Sequence, residues 1–84
     1  MVRFEWDDAN LDHMHRHRVT AAEIAEVFGR RVTPIAAYNH GETRYAVVGR
    51  TDTGRYLTVV YTWRRGRLRV VTARDAHPRE RRRW

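Results

Sequence analysis

The spacing of hydrophobic positions along this 84-residue chain changes near residue 29. Before that point they recur at helical intervals. Asp7 and Asp8 supply N-cap chemistry for a helix through about His17, with Leu11 and Met14 near one face and Asp12, His13 and Arg16 polar. Thr20 and Glu23 stand at capping-box spacing ahead of Ile24, Val27 and Phe28, and Gly29 ends this second helix. After Gly29 the period is that of strands. Val32–Tyr38 leans to β structure, with Pro34 restricting it to an edge or a bulge. Asn39-His40-Gly41 turns the chain. Thr43–Arg50 then alternates Arg44, Ala46, Val48 and Arg50 against Thr43, Tyr45 and Val47. Thr51-Asp52-Thr53-Gly54 is a hairpin turn. Tyr56–Trp63 sets Leu57, Val59, Tyr61 and Trp63 against Tyr56, Thr58, Val60 and Thr62. Arg64-Arg65-Gly66 turns again, and Arg67–Ala73 is a last strand with Leu68 and Val70 opposed to Arg69, Val71 and Ala73. His77-Pro78 opens a short C-terminal helix. Phe4-Glu5-Trp6 is too short for more than an edge strand.

These elements predict one α+β domain over residues 1–84. Two N-terminal helices pack on a three- to four-stranded antiparallel sheet, and a short C-terminal helix follows. One sheet face carries the helices and the other is free to bind. Without cysteine, neither a disulfide nor a thiolate metal site can staple so small a fold. The three Trp, four Tyr and two Phe must supply much of the buried area.

Charge alters the picture. All 17 basic residues are arginine. Residues 1–29 hold three arginines against six acids, a net −3, and residues 30–84 hold fourteen against four, a net +10, which together give +7. A guanidinium is permanently charged and its planar fork matches phosphate oxygens in pairs. A segment this basic points to a polyanion, nucleic acid above all. No apolar stretch approaches the roughly 20 residues of a membrane span. The N-terminus lacks a secretory h-region, so the cytoplasm is the expected location.

Several segments, in order, carry a resemblance. They are Phe4-Glu5-Trp6-Asp7, Arg16-His17-Arg18-Val19-Thr20, Gly49-Arg50-Thr51, Gly54-Arg55-Tyr56-Leu57, Arg69 to Ala76, and Glu80-Arg81-Arg82-Arg83-Trp84. The ordered set resembles the BrnT-type toxins of bacterial type II toxin–antitoxin systems. That resemblance implies a RelE-like ribonuclease fold, RNA cleavage, and a cognate antitoxin partner with a DNA-binding pattern. The chain departs from the family at Arg18, where a glycine is usual, and at Trp84, where tyrosine is more common.

Cleavage of RNA through its own 2′-hydroxyl needs a base, positive charge on the phosphorane and an acid for the leaving oxygen, with no metal or cofactor. Arg74 and Arg44 are the expected charge stabilisers, and Arg50 and Arg69 the positioning groups, all four able to converge on one groove. Glu42 is a general base or the ion-pair partner of Arg44. His17 occupies the family's histidine position and suits acid–base work, or else caps a helix end. Arg79, Arg81, Arg82 and Arg83 form a basic patch for RNA or the antitoxin, and Trp84 docks the tail or stacks on a base. Tyr61 and Trp6 read as core. His13 and His17, four apart, have zinc-compatible spacing, but with no HExxH pattern they read as histidines of an exposed helix. A non-catalytic basic nucleic-acid-binding module, stacking bases on Tyr45 and Tyr56, is the alternative function.

Overall fold

The computed structural model describes residues 2–39 and 41–81, leaving out the side chain of Ala36. His40, Arg82, Arg83 and Trp84, and the roles expected of them, lie outside the described residues. Strand β1 (Phe4–Glu5) leads into helix α1 (Asp8–Arg16) and helix α2 (Ala21–Gly29). Strands β2 (Ala36–Asn39), β3 (Thr43–Arg50), β4 (Tyr56–Arg64) and β5 (Arg67–Asp75) follow, and helix α3 (Pro78–Arg81) ends the described chain.

Local chemistry sets both N-terminal helices where the sequence placed them. The Asp7 carboxylate accepts from the Asn10 amide at 2.8 Å and caps α1. At α2, the Glu23 amide donates to Thr20 Oγ1 at 3.1 Å while Glu23 Oε1 accepts from the Thr20 amide at 3.0 Å, a complete capping box. Arg18, in the turn between the helices, adopts φ +58°. The left-handed backbone a glycine would take there without strain is therefore kept by an arginine. Arg55 clamps that turn, donating to the carbonyls of Arg18 at 2.7 Å and His17 at 3.3 Å and to Glu23 Oε2 at 3.0 Å. The same guanidinium meets Asp75 Oδ1 at 2.7 Å.

The sheet order is β1-β5-β4-β3-β2. This corrects the expected three or four antiparallel strands to five in a mixed sheet. The addition is β1, which runs parallel to β5 with Phe4 opposite Leu68 and Glu5 opposite Arg69. Two residues so far from their partner in sequence leave no periodic signal. The strand expected at Val32–Tyr38 begins only at Ala36, past Pro34, which has no amide to give the ladder. A register shift between Val60 and Tyr61 pairs Val60 with Thr72 and Tyr61 with Val70, so Val71 is an extra residue in β5. The bulge turns Ala73 into the core beside Val59, where simple alternation had opposed it to Val70.

The core lies between the helices and one sheet face. Met14, Val19, Ile24 and Val27 pack on Val47, Leu57, Val59, Tyr61, Leu68, Val70 and Ala73, with Trp6 and Phe28 partly buried against them. Gly49 allows the close approach of α2, since a Cβ there would overlap Val27 Cγ1. Trp63 belongs to the same face by register yet remains half exposed near the strand end.

The second face is not free. Val48 and Thr58 point away from the main core but are 0% and 3% exposed. Helix α3 returns over them: Glu80 meets Arg74, whose register partner is Thr58, and the Arg81 guanidinium lies 4.3 Å over the Tyr56 ring.

Candidate nucleic-acid interface and active site

The second face carries basic groups at its two ends. Its register rows place Arg74 beside Thr58, Thr58 beside Val48, and Tyr56 beside Arg50 at one end. At the other end Arg69 pairs with Thr62 and Arg67 with Arg64, while Arg44 stands opposite Tyr38. Thr58 and Thr62 are four residues apart on β4, about 13 Å at strand rise. Arg44 and Arg74 also lie on different strands. Strand alternation suggested a convergence of Arg44, Arg50, Arg69 and Arg74 on one groove, and the structure corrects it to two separate basic ends.

Acids from within the chain engage several of these arginines. Arg69, 21% exposed, meets Asp7 Oδ2 at 2.8 Å and Glu5 Oε2 at 3.9 Å. The Asp7 carboxyl is held below its usual range by the Asn10 amide first and by Arg69 second. Arg30 meets Asp52 Oδ1 at 2.8 Å. The sequence's acidic-then-basic polarity is thus partly an internal pairing, with Glu5 and Asp7 answering Arg69 of β5 and Glu23 answering Arg55 of the β3–β4 turn. Glu42 sits 3.7 Å from both Arg44 Nε and Arg64 Nη2. That is the geometry of a shared ion-pair partner, one of its two expected roles. Arg44 Nε is buried and makes no hydrogen bond.

Arg74 is held by both of its terminal nitrogens. Its Nη1 and Nη2 donate to Glu80 Oε1 at 2.7 Å and Oε2 at 3.0 Å, a two-pronged pair. Glu80 Oε1 also accepts from the His77 amide at 2.8 Å. Its carboxyl is pulled from 4.5 to about 2, chiefly by Arg74, with smaller contributions from the His77 amide and the nearby Thr58 hydroxyl. A carboxylate this weakly basic serves as a counter-ion better than as a general base. Thr58 Oγ1 is buried and has no hydrogen-bond partner within bonding geometry. The Glu80 carboxylate is nonetheless near enough for that hydroxyl to help hold its charge, so Arg74, Glu80 and Thr58 form one cluster.

His13 of α1 reaches β5 near the same end. His13 Nε2 lies 3.0 Å from Thr72 Oγ1, and the His13 and His17 rings are 5.4 Å apart. Thr72 precedes Arg74 by two residues on one face of β5. No set of three or more metal-ligating side chains that could hold an ion occurs among the described residues. The sequence reading missed Glu80, Thr58 and the contact of His13 with Thr72. The one local clue was Glu80, six residues after Arg74 with the His77-Pro78 turn between them.

The family model described as the ribonuclease toxin BrnT of type II toxin–antitoxin systems matches residues 6–80, nearly the whole chain. The chain belongs to the BrnT family of ribonuclease toxins. No curated relative and no solved structure matches it. Membership gives this toxin RNA as substrate and a cognate antitoxin as partner. Among the described residues, no helix is long and apolar enough to cross a membrane.

Proposed function

We propose that the toxin cleaves RNA in the cytoplasm, without a metal, by transesterification on the second sheet face, and that a DNA-binding antitoxin neutralises it by covering that face. The RNA 2′-oxygen attacks the adjacent phosphorus while the bond to the 5′-oxygen breaks, leaving a 2′,3′-cyclic phosphate and a 5′-hydroxyl. Arg74 takes the phosphorane charge, and His17 serves the proton transfers. Arg44 and Arg50 hold flanking phosphates, joined by Arg81 and, beyond the described residues, Arg82 and Arg83. Arg69 is assigned to the fold, since acids of the N-terminal segment occupy it, and Glu42 to orienting Arg44.

The observation that supports this reading most is the half-exposed Arg74 guanidinium at one end of the basic face, held by Glu80 and standing beside the buried Thr58 hydroxyl. A phosphate can take the place of the Glu80 carboxylate there, offering oxygens to the guanidinium and to the hydroxyl together. Phosphate binding displaces Glu80 from Arg74, so α3 acts as a counter-charge in the free toxin.

The test is cleavage of RNA by purified protein in EDTA. Removing one donor to a developing oxyanion typically costs about 10²–10³ in rate, so Arg74→Ala should nearly abolish cleavage with its circular-dichroism melt close to wild type. Wild-type activity in that variant, or activity only after metal is added, refutes the mechanism. A protein that binds RNA without cutting it would be the non-catalytic module. Expression alone should arrest growth, and co-expression of the adjacent small gene should relieve the arrest through a co-purifying complex.

A further inference from the structure

We propose that His13 is a catalytic residue of this toxin, exchanging a proton with the RNA, and that Thr72 is its positioning residue. This rests on the ribonuclease reading above and adds to it the group that faces the scissile phosphate.

Three observations meet at this point of the fold. The first is the contact itself. His13 is exposed on α1, yet its Nε2 is held 3.0 Å from Thr72 Oγ1, a residue fifty-nine positions away. An exposed histidine with no role gains little from such a fixed ring. A fixed ring with one nitrogen engaged and the other open is what proton transfer in a defined direction requires. The second is the neighbour. Thr72 and Arg74 are alternate residues on one face of β5, their Cα atoms about 7 Å apart at strand rise. A phosphate on Arg74 therefore lies within reach of the imidazole beside Thr72. The third is the second imidazole. The His17 ring stands 5.4 Å from the His13 ring at an interplanar angle of 55°. Transesterification needs one group to accept the 2′-hydroxyl proton and another to give a proton to the 5′-oxygen. Two neighbouring imidazoles supply both, while the Arg74-bound Glu80 carboxylate, at about 2, is too weak a base to compete.

Proton and bond changes balance within the site. His13 and His17 act as the pair, one accepting the proton of the 2′-hydroxyl as the new P–O2′ bond forms. The other donates to O5′ as the P–O5′ bond breaks, and no co-reactant is needed. The His17 ring, at the C-cap of α1, stands against His13, Arg16 is one helical turn on, and Arg74 with its bound Glu80 follows two residues after Thr72 on β5.

The test compares His13→Gln, His17→Gln, Thr72→Val and Thr72→Ser in the full chain, measuring kcat, KM and their pH dependence on a short RNA. His13→Gln should lower kcat about 10²-fold or more with little change in KM, and should remove one limb of the pH–rate profile. Thr72→Val should lower kcat by a smaller factor, and Thr72→Ser, which keeps the hydroxyl, should restore it. In the wild type, uridine 3′-phosphate should shift the His13 ring resonances, and Arg74→Ala should weaken that shift. This readout stands even if a histidine variant folds poorly. If His13→Gln keeps wild-type kcat and both limbs while Arg74→Ala loses activity, His13 is not catalytic and the ribonuclease reading survives. If the wild-type protein does not cut RNA at all, both fail together.

Discussion

Replacing Glu80 by Gln separates the two things this carboxylate does: holding α3 and neutralising Arg74. Its descent from 4.5 to about 2 corresponds to roughly 3 kcal/mol at about 1.4 kcal/mol per unit. That is an upper bound. The Arg74 side chain is 46% exposed and Glu80 24%, so water and salt screen the pair, and exposed ion pairs measure only about 0.2–1 kcal/mol. The two-pronged geometry favours the top of that range, and about 1 kcal/mol is the expected loss at pH 7. For a domain of this size that lowers Tm by about 4–8 °C. Because the folded-state value is depressed, the contribution is fully present above the ordinary carboxyl range and disappears as pH falls from about 4.5 toward 2. Wild type and variant should therefore differ in urea midpoint at pH 7 and converge near pH 2. In the same variant Arg74 loses its counter-ion, so RNA should bind more tightly at fixed salt. Equal stability at all pH values would show that the pair is not formed in solution. Weaker RNA binding would show that Glu80 helps to hold RNA and does not mask Arg74.

Three further outcomes are expected. Arg55→Ala leaves Glu23 and the carbonyls of His17 and Arg18 without their donor. It should cost about 2–3 kcal/mol in chemical denaturation, and an unchanged midpoint would remove Arg55 from the fold's framework. Arg18→Gly relieves φ +58°, about 1 kcal/mol of strain offset by about 0.5 kcal/mol of added unfolded-chain freedom. The Tm should rise slightly, and a fall would mean that the arginine side chain matters to that turn. Gly49→Ala presses a methyl on Val27 and should lower stability by about 1–3 kcal/mol, whereas a neutral result would place α2 farther from β3.

Wherever the signal was local, the elements could be read from the sequence. Asp7 and the Thr20/Glu23 box announce helix starts through side-chain-to-amide bonds made within three residues. The strand hairpins announce themselves by alternation and turn residues. What could not be read depended on distant partners. The pairing of β1 with β5 joins residues more than sixty positions apart. The Val71 bulge carries no glycine or proline to mark it, so Ala73 was set on the wrong face. The candidate site suffered most from this. Arg74 and His17 stand out by type and place, and Glu42 by lying two residues from Arg44, but spacing alone does not tie Glu80 to Arg74. Only the return of α3 over the sheet shows that Glu80 is the acid at Arg74. Arg69 has the type and place of a phosphate ligand, but Asp7, from the opposite end of the chain, is paired with it.

The parallel contact of β1 with β5 also bears on when this protein can become harmful. Phe4 and Glu5 wait for Leu68 and Arg69 before they gain a strand partner, and Arg69 in turn takes up Asp7, the cap of α1. Contacts that close so long a span form late. During synthesis the first helix therefore lacks its seat until β5, which also carries Thr72 and Arg74, has been made. The growing chain cannot build the proposed site early. Any product that stops short of β5 lacks Thr72 and Arg74 and leaves β1 unpaired, a form suited to degradation.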